Sequence, residues 1–393
     1  MLAHINREEW AAMADDAGII RAKEPGVTEV VEFHKPDPYV DWIDREGVLR
    51  IEEFAFDDLL AVELGEWKRK GGKGAIINIP YESLTNDTQL VEIDPGGNSE
   101  PEHHMYEEYI YVLSGRGAAS IWIDEKQKHT FEWTAGSLFT IPLNASYQLF
   151  NGSGSEPARY MAVTNAPIMM RLFMNNDFIW NNPYMFPDRL TNDEGWASGG
   201  GQMYKGRVWE TNFLPDAANM PMPKWGERGG GGTNIMLSLS DNTVSSHISE
   251  FQVGTYKKAH RHGPGAHLLI TGGEGFALLW RNEDLSDLVM APWQRGSLYL
   301  PTQDAENEYF HQHFNLGNKA ARYFALHPPV QFIGKEEDEQ GNAEGVNIEY
   351  SEEEPWIREY FESELAKRGL KSDMPEAAYQ DPDYTFKAAP TAS

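Results

Sequence analysis

Two stretches, WKRKGGKGAIINI at residues 67–79 and WGERGGGGTNIML at residues 225–237, align without a gap. The match continues downstream, where WTAGSLFTIP from Trp133 corresponds to WQRGSLYLP from Trp293. Further on, ARYMAVTNAP from Ala158 corresponds to ARYFALHPP from Ala321. Self-similarity at a fixed spacing indicates a repeated structural unit. The chain therefore contains two copies of one unit, each about a hundred residues long.

Each copy has the pattern of an antiparallel β-barrel. Its apolar residues come in short runs of Val, Ile, Leu, Phe and Tyr, separated by Gly, Pro and Asn, which is strand-and-turn spacing. The glycines at 229–232 could suggest a phosphate-binding loop, but the other copy has glycines at 71–74 in the same place before a strand. We therefore interpret both as turns that enter a barrel.

Composition excludes several classes of function. The formal net charge of -28 argues against nucleic-acid binding, which needs clustered Lys and Arg. Because the chain has no cysteine, disulfides, thiolate nucleophiles and sulfur ligands are excluded, and His and carboxylates must form any metal site. Neither a secretory signal nor a membrane-spanning run is evident, so we expect a cytoplasmic protein without a membrane partner.

The second copy carries a concentration of histidines. It contains AHRHGPGAHLLITGGEG from Ala259 and FHQHFN from Phe310, with five of the chain's twelve histidines. Residues i and i+2 of a strand share a face, so His260 and His262 can converge inside a barrel. His311 or His313, from a neighbouring strand, can supply a third imidazole. Three such ligands would leave coordination sites open for substrate and a small molecule such as oxygen.

This pattern resembles the cupin superfamily, whose first motif contains HxH, a Glu and a Gly and whose second ends in His, three residues and Asn. The resemblance places His260, His262 and His311 as metal ligands and implies two tandem cupin barrels in an all-β dominated fold with a few flanking helices. Asn315 completes the second motif, while Ala266 takes the place of the Glu.

Three histidines with Ala in the Glu position resemble the gentisate and salicylate ring-cleaving dioxygenases, which are bicupins with a ferrous centre. Their metal usually lies in the first barrel, whereas here the second copy has the intact motif. The resemblance implies Fe(II), although imidazole ligands also suit Mn, Ni, Co or Zn.

The first copy departs from the cupin motif. In HHMYEEYIYVLSG, Glu108 and Gly115 fall on the family's Glu and Gly, and His103 takes the second His position. Pro101 stands at the first His position and Tyr147 at the final one. We expect a structural role for this barrel, and leave open a second site formed by His103, His104 and Glu108.

Two enzymatic hypotheses follow from the second copy. The first is an Fe(II) ring-cleaving dioxygenase acting on a hydroxylated aromatic acid with O2, in which His313, His267 or Tyr309 handles protons. The second is a non-redox metal-dependent cupin lyase, decarboxylase or isomerase. A small-molecule binding or storage cupin is a third and less favoured interpretation, because storage relatives need no clustered histidines.

Arg322 has a counterpart in Arg159, which indicates a scaffold salt bridge.

The repeats divide the chain into five parts. They are an N-terminal arm with a helix (1–66), a metal-poor first cupin (67–167), an inter-barrel segment (168–224), a second cupin with the metal site (225–332), and an acidic C-terminal tail with a helix (333–393). Asn6, Glu8 and Trp10 suggest the first helix, and Ser351, Pro355 and Gly369 the cap, first turn and end of the last. Exposed barrel edges favour a homo-oligomer.

Overall fold

The structure is a computed structural model that describes residues 20–21, 29–30, 35–79, 83–204, 208–222, 232–261, 266–282, 284–301, 309–329, 346–384 and 386. The helix predicted around Asn6 lies outside these ranges, as does His262. The helices are α1 Pro38–Glu46, α2 Ala166–Phe173, α3 Asn176–Trp180 and α4 Pro355–Lys367, with 3-10 turns at Lys68–Lys70 and Glu376–Tyr379. In the described part of the chain, no helix is long and apolar enough to cross a membrane.

Strands dominate both repeats. Up to the end of the first repeat they are β1 Ile20–Arg21, β2 Glu29–Val30, β3 Leu49–Ile51, β4 Ala55–Phe56, β5 Gly65–Trp67, β6 Gly72–Ile77, β7 Asp87–Ile93, β8 Glu108–Ser114, β9 Arg116–Trp122, β10 Lys128–Thr134, β11 Leu138–Ile141, β12 Ser146–Asn151 and β13 Ala158–Thr164. Beyond it they are β14 Gly201–Tyr204, β15 Val208–Thr211, β16 Phe213–Leu214, β17 Thr233–Leu239, β18 Val244–Phe251, β19 Ala259–Arg261, β20 His267–Gly272, β21 Glu274–Trp280, β22 Val289–Gln294, β23 Leu298–Tyr299, β24 Phe310–Asn315, β25 Ala321–Pro329 and β26 Val346–Ile348.

The two repeats have the same topology. In the first, the sheet β10-β9-β12 faces the sheet β16-β11-β8-β13-β7-β6-β3. In the second, β22-β21-β24-β19-β26 faces β14-β15-β17-β18-β25-β20-β23-β4. Each strand from β6 to β13 thus has a counterpart between β17 and β25, in the same order. The duplication predicted from sequence is a pair of matching barrels.

Side-chain alternation explains why these segments form the walls of a barrel. In β10, KHTFEWT, Phe131 and Trp133 are buried while the residues between them are exposed, as expected for a strand with one face in water. In β24, FHQHFN, every residue is buried, and Phe310 and Phe314 pack in one apolar cluster with Tyr350 and residues of α4. The histidines of β24 therefore lie on a strand shielded from solvent.

Short segments exchange between the barrels. Strand β3 of the N-terminal arm pairs with β6 of the first barrel, but β4, a few residues later, pairs with β23 of the second. Reciprocally, β15 pairs with β17 of the second barrel and β16 with β11 of the first. Each barrel is thus completed by strands that lie outside its own repeat.

A shared apolar core joins the barrels. Leu90, Tyr111 and Leu138 of the first barrel cluster with Leu269 and Phe324 of the second. The rings of Tyr111 and Phe324 are 6.3 Å apart between centroids. The barrels therefore bury apolar surface against each other.

The C-terminal helix predicted from Pro355 is present as α4, and Gly369, with φ +71°, follows its C-cap. Ser351 was predicted to cap it, and this is wrong. The N-cap is Glu354, because Pro355 fixes the first helical position and the chain before it is extended.

Candidate metal centre

His260 and His311 lie opposite each other on two paired strands of the second barrel. They are paired residues of β19 and β24. Both side chains are buried, and their ring centroids are 4.3 Å apart. Strand register therefore brings together two imidazoles that lie fifty-one positions apart in the sequence.

Both rings have Nδ1 directed at a backbone carbonyl two residues earlier. His260 Nδ1 donates to the carbonyl of Lys258 at 2.9 Å, and His311 Nδ1 faces the carbonyl of Tyr309 at 3.4 Å. Since a carbonyl only accepts, the neutral ring carries its proton on Nδ1 and its lone pair on Nε2. Metal-binding histidines usually show this arrangement, in which a carbonyl fixes the tautomer and orients the ring.

His313 lies on the same face of β24, two residues beyond His311. Its ring centroid is 5.4 Å from that of His311 and 6.3 Å from that of His260. Nδ1 is 2.7 Å from the hydroxyl oxygen of Tyr299, while the buried Nε2 has no hydrogen-bond partner among the residues that the structure describes. Burial, with the nearby His311 and Lys257, holds the pKa of His313 well below its usual value.

The predicted third ligand, His262, belongs to residues 262–265, which the structure does not describe. Within the described ranges, no three His, Cys, Asp or Glu side chains are arranged to hold a metal ion. The donor atoms still suit a metal ion. Two imidazoles are oriented for coordination, and Nε2 of His313 is buried with no hydrogen-bond partner in the described part of the chain.

Sequence reasoning missed a buried cation beside these histidines. Lys257 is 2% exposed, its ammonium contacts the hydroxyls of Ser249 and Tyr323, and its backbone N–H donates to the carbonyl of His313. A charge this deeply buried adds positive potential around His313. Lys257 lies three residues before the HxH pattern, and that position could have indicated a place in the site. The same position is equally typical of a lysine on the surface.

Ala266 is buried and occupies the position where the cupin motif has its Glu. A methyl group there contributes neither charge nor a ligand atom. The described donors of this barrel are therefore neutral imidazoles.

The other two predicted catalytic residues lie in different surroundings. His267 is directed at the first barrel, where Nδ1 contacts the hydroxyl of Thr88 at 2.6 Å, and burial lowers its pKa to about 4. Tyr309 packs under the guanidinium of Arg281, which donates to its hydroxyl at 2.7 Å. The structure thus brings together His260, His311 and His313 and directs the side chain of His267 elsewhere.

The corresponding place in the first barrel is identified by register. In the first barrel Glu102 pairs with Tyr147, and in the second His260 pairs with His311. Four residues earlier, Asn98 pairs with Phe150 and Tyr256 pairs with Phe314, so the two registers match. Glu102 and His104 therefore occupy the HxH positions. The sequence assignment to Pro101 and His103 was wrong by one residue, because it placed four residues instead of three before Glu108. His103 instead contacts Asn144.

A lysine occupies the centre of this first-barrel cluster. The Lys70 ammonium is 2.5 Å from Glu102 Oε1, 2.8 Å from the Tyr147 hydroxyl and 3.5 Å from Glu108 Oε1. The Tyr147 hydroxyl, which has one proton to donate, is also 2.5 Å from Glu102 Oε1 and 2.7 Å from Glu108 Oε2. His104 completes the group, with Nε2 3.1 Å from Glu108 Oε2. We refer to Lys70, Glu102, His104, Glu108 and Tyr147 as the Lys70 cluster.

Arg159 and Arg322 have the scaffold role predicted for them. Arg159 pairs with Glu92 at 2.7 Å and Arg322 with Glu250 at 2.6 Å, each across two neighbouring strands. Both guanidinium groups also donate to backbone carbonyls of connecting segments. These matching ion pairs fasten loops to the barrels.

Comparison with known proteins agrees with the fold. Residues 89–164 match the family model "Cupin domain". A "Probable oxalate decarboxylase" from Arthroderma benhamiae is 32% identical over 102 residues, which are 24% of this chain and 25% of that protein. The chain thus matches about a quarter of the length of this curated relative.

Two solved structures illustrate a wider similarity. A Bacillus subtilis oxalate decarboxylase variant is 12% identical, with 92% of this chain and 95% of that chain covered and a TM-score of 0.48. A Momordica charantia 7S globulin is 13% identical, with 75% and 86% covered and a TM-score of 0.44. Similarities this distant carry no argument about chemistry.

The cupin match in the first repeat, with the same strand order in the second, defines a protein of two tandem cupin barrels. The predicted fold class is therefore confirmed. The similarity to ring-cleaving dioxygenases is not among these findings and stays a hypothesis. The homo-oligomer, the cytoplasmic location and the use of O2 likewise stay predictions.

Proposed function

We propose that this chain is a metal-dependent cupin lyase that removes CO2 from a small carboxylate in its second barrel. The observation that carries the proposal is the orientation of His260 and His311, whose Nδ1 atoms are directed at carbonyls so that Nε2 bears the lone pair. The similarity to an oxalate decarboxylase, over a quarter of each chain, supports the reaction type. This is the non-redox alternative of the sequence analysis, and it is now preferred over the dioxygenase.

The proposed ligands are His260, His262 and His311, and the proposed cofactor is a divalent transition metal, with Fe(II), Mn, Ni, Co and Zn all compatible with imidazole. Such an ion would act as a Lewis acid toward the substrate carboxylate. Because the three ligands are neutral, they do not cancel its charge, which favours an anionic substrate.

Lys257 adds to this preference. Its ammonium is buried and acts electrostatically on His313, and a cation that water does not screen favours the approach of an anion. We assign Lys257 the role of holding substrate charge. A carboxylate group needs such compensation because burial of an unpaired anion is costly.

We assign His313 the role of handling the proton. Loss of CO2 breaks a C–C bond, leaves the electron pair on carbon, and requires that carbon to take up one proton, with no change of oxidant or reductant. The pKa of His313 lies well below its usual value, so a proton that reaches its Nε2 is readily given up. Tyr299, bonded to Nδ1, fixes the ring orientation.

Ala266 keeps a second candidate function open. Its methyl stands where other cupins place a carboxylate, and an all-imidazole site is the pattern that resembles the Fe(II) ring-cleaving dioxygenases. That enzyme would bind a hydroxylated aromatic acid together with O2.

One experiment separates the two candidates. Protein loaded separately with Mn(II), Fe(II), Co(II), Ni(II) or Zn(II) is incubated with oxalate, malonate and 2-oxo acids, and with gentisate and salicylate, while CO2 and O2 are both recorded. We expect CO2 release from a small carboxylate without stoichiometric O2 uptake. O2 uptake matched to aromatic ring cleavage would establish the dioxygenase instead, and no turnover of any acid would reject both.

The matched variants are His311→Gln and His103→Gln. We expect the first to lose bound metal and at least 100-fold in activity, because it removes a ligand. The second changes a histidine whose side chain contacts Asn144 in the first barrel, and should keep both. Equal metal content in the two variants would contradict the assignment of His311.

A further inference from the structure

The Lys70 cluster has the donors of a metal site but already contains a cation. Glu102, His104, Glu108 and Tyr147 stand at the four positions that correspond to His260, His262, Ala266 and His311. Two carboxylates and an imidazole at such positions would suit a divalent transition metal. The Lys70 ammonium is within 3.5 Å of three of the four side chains.

The imidazole of His104 is not arranged to coordinate. Its Nδ1 faces the carbonyl of Tyr106 at 2.9 Å and its Nε2 faces the carboxylate of Glu108 at 3.1 Å. One partner is a carbonyl oxygen and the other a carboxylate oxygen, and both are hydrogen-bond acceptors. Both ring nitrogens are therefore already engaged by the protein, and coordination of a metal by His104 would require the contact between Nε2 and Glu108 to open.

Lys70 already supplies a positive charge to the carboxylates of the cluster. Its ammonium lies 2.5 Å from Glu102 and 3.5 Å from Glu108, and all three side chains are buried. Burial alone would lower the pKa of Lys70, but Glu102 and Glu108 outweigh this and keep it protonated. A divalent ion added here would have to displace an ammonium that already satisfies the carboxylates.

Lys70 is held in place by the backbone. It ends the 3-10 turn Lys68–Lys70, and Gly71, with φ +66°, reverses the chain so that β6 can begin. A Cβ on Gly71 would lie 3.0 to 3.3 Å from backbone atoms of residues 98–100, the segment that leads to Glu102. The turn that carries Lys70 is thus fixed against the segment that leads to Glu102.

We propose that Lys70 is the resident cation of the first barrel: its ammonium occupies the metal position, excludes divalent ions, and leaves Glu102, His104 and Glu108 as a latent metal site. The two barrels then use different cations on one scaffold. Loss of the lysine charge, with the carboxylates kept, converts the first barrel into a binding site for a divalent transition metal.

The test is metal stoichiometry in Lys70→Met, which keeps the length of the side chain and removes its charge. Lys68→Met, at the exposed start of the same turn, is the matched control. After incubation with MnCl2 and removal of free metal, we expect Lys70→Met to hold about one more equivalent of Mn(II) per chain than Lys68→Met. A folded Lys70→Met with the same Mn(II) content as the control would overturn the proposal.

A second measurement does not depend on how Lys70→Met folds. In the double variant His260→Ala/His311→Ala with Lys70 intact, we expect no bound Mn(II). If an equivalent remains and disappears when His104→Gln is added, the first barrel binds metal beside its lysine and the proposal is wrong. Because this readout concerns the first barrel, it is independent of which reaction the second barrel performs.

Discussion

His267 is a buried histidine at the contact between the barrels, and it makes stability depend on pH. Burial lowers its pKa from 6.5 to about 4 in the folded protein. The unfolded chain therefore binds a proton at a higher pH than the folded chain does. Stability contributed by the neutral ring is complete above pH 6.5 and is lost as pH falls through about 4.

Replacement of His267 by Gln should remove this dependence. Between pH 7.5 and pH 5 the titration of His267 destabilises the wild type by about 2 kcal/mol, so the variant should lose about that much less over the same interval. Urea unfolding at the two pH values measures the difference. Thr88→Val is the control, since it removes the hydrogen bond and leaves the imidazole buried. A variant with the wild-type pH dependence would contradict the assignment to His267.

At the residue scale, sequence alone located the second-barrel histidines but not their surroundings. The HxH and second-motif patterns identified His260 and His311, because strand periodicity decides which residues share a face. In the first barrel the motif was aligned one residue too early, so His103 was assigned to the position that His104 occupies. A shift of one residue moves a side chain to the opposite face of a strand. Lys70 was missed because its cluster joins three segments that are distant in sequence, and only tertiary packing brings them together.

The equivalent strands β9 and β21 each contain a glycine at a place where the backbone of a neighbouring strand comes close. A Cβ on Gly117 would lie 1.9 Å from the carbonyl oxygen of Phe150, and one on Gly275 would lie 1.8 Å from that of Phe314. Trp133 and Trp293 press on the same two positions from the neighbouring strand. Both repeats therefore require glycine for steric reasons.

We expect Gly275→Ala to destabilise the protein by at least about 2 kcal/mol, because a backbone oxygen cannot yield as a flexible side chain can. Gly154→Ala, where an added Cβ meets no atom of the described residues within 4 Å, is the matched control and should change little. The free energy of unfolding in urea measures both. Equal effects of the two substitutions would show that β21 and β24 can separate locally.

At the element scale, periodicity predicted the barrel strands, and Pro355 and Gly369 predicted the first turn and the end of α4. The exchanged strands β4 and β16 did not. Each has two residues, which is too short to show alternation. Their partners, β23 and β11, lie in the opposite repeat, and nothing local in the sequence encodes that choice.

The whole molecule should unfold as one unit. Glu107 of the first barrel accepts hydrogen bonds from the backbone N–H groups of Thr243 and Val244, at the start of β18, and from Arg189 of the inter-barrel segment. This buried carboxylate, the shared apolar core and the exchanged strands couple the two barrels. We expect a single calorimetric transition with matching calorimetric and van't Hoff enthalpies.

Glu107→Gln tests this coupling. The substitution exchanges a charged acceptor for a neutral amide and leaves at least one donor unsatisfied, which should cost about 3 kcal/mol and separate the transitions of the barrels. Asp124→Asn, at an exposed turn of the first barrel, is the control. Two resolved transitions already in the wild type would show that the barrels are independent.

The reciprocal strand exchange also has a consequence for synthesis on the ribosome. The first barrel gains its edge strand β16 only when residues 213–214 have been translated, well after its own repeat has emerged. Residues 55–56, made much earlier, must wait for residues 298–299 before they find a partner. Nascent chains therefore pass through a long interval with open sheet edges. If the gene were cut between the repeats and before residue 213, the first barrel would lack β16 and the second would lack β4.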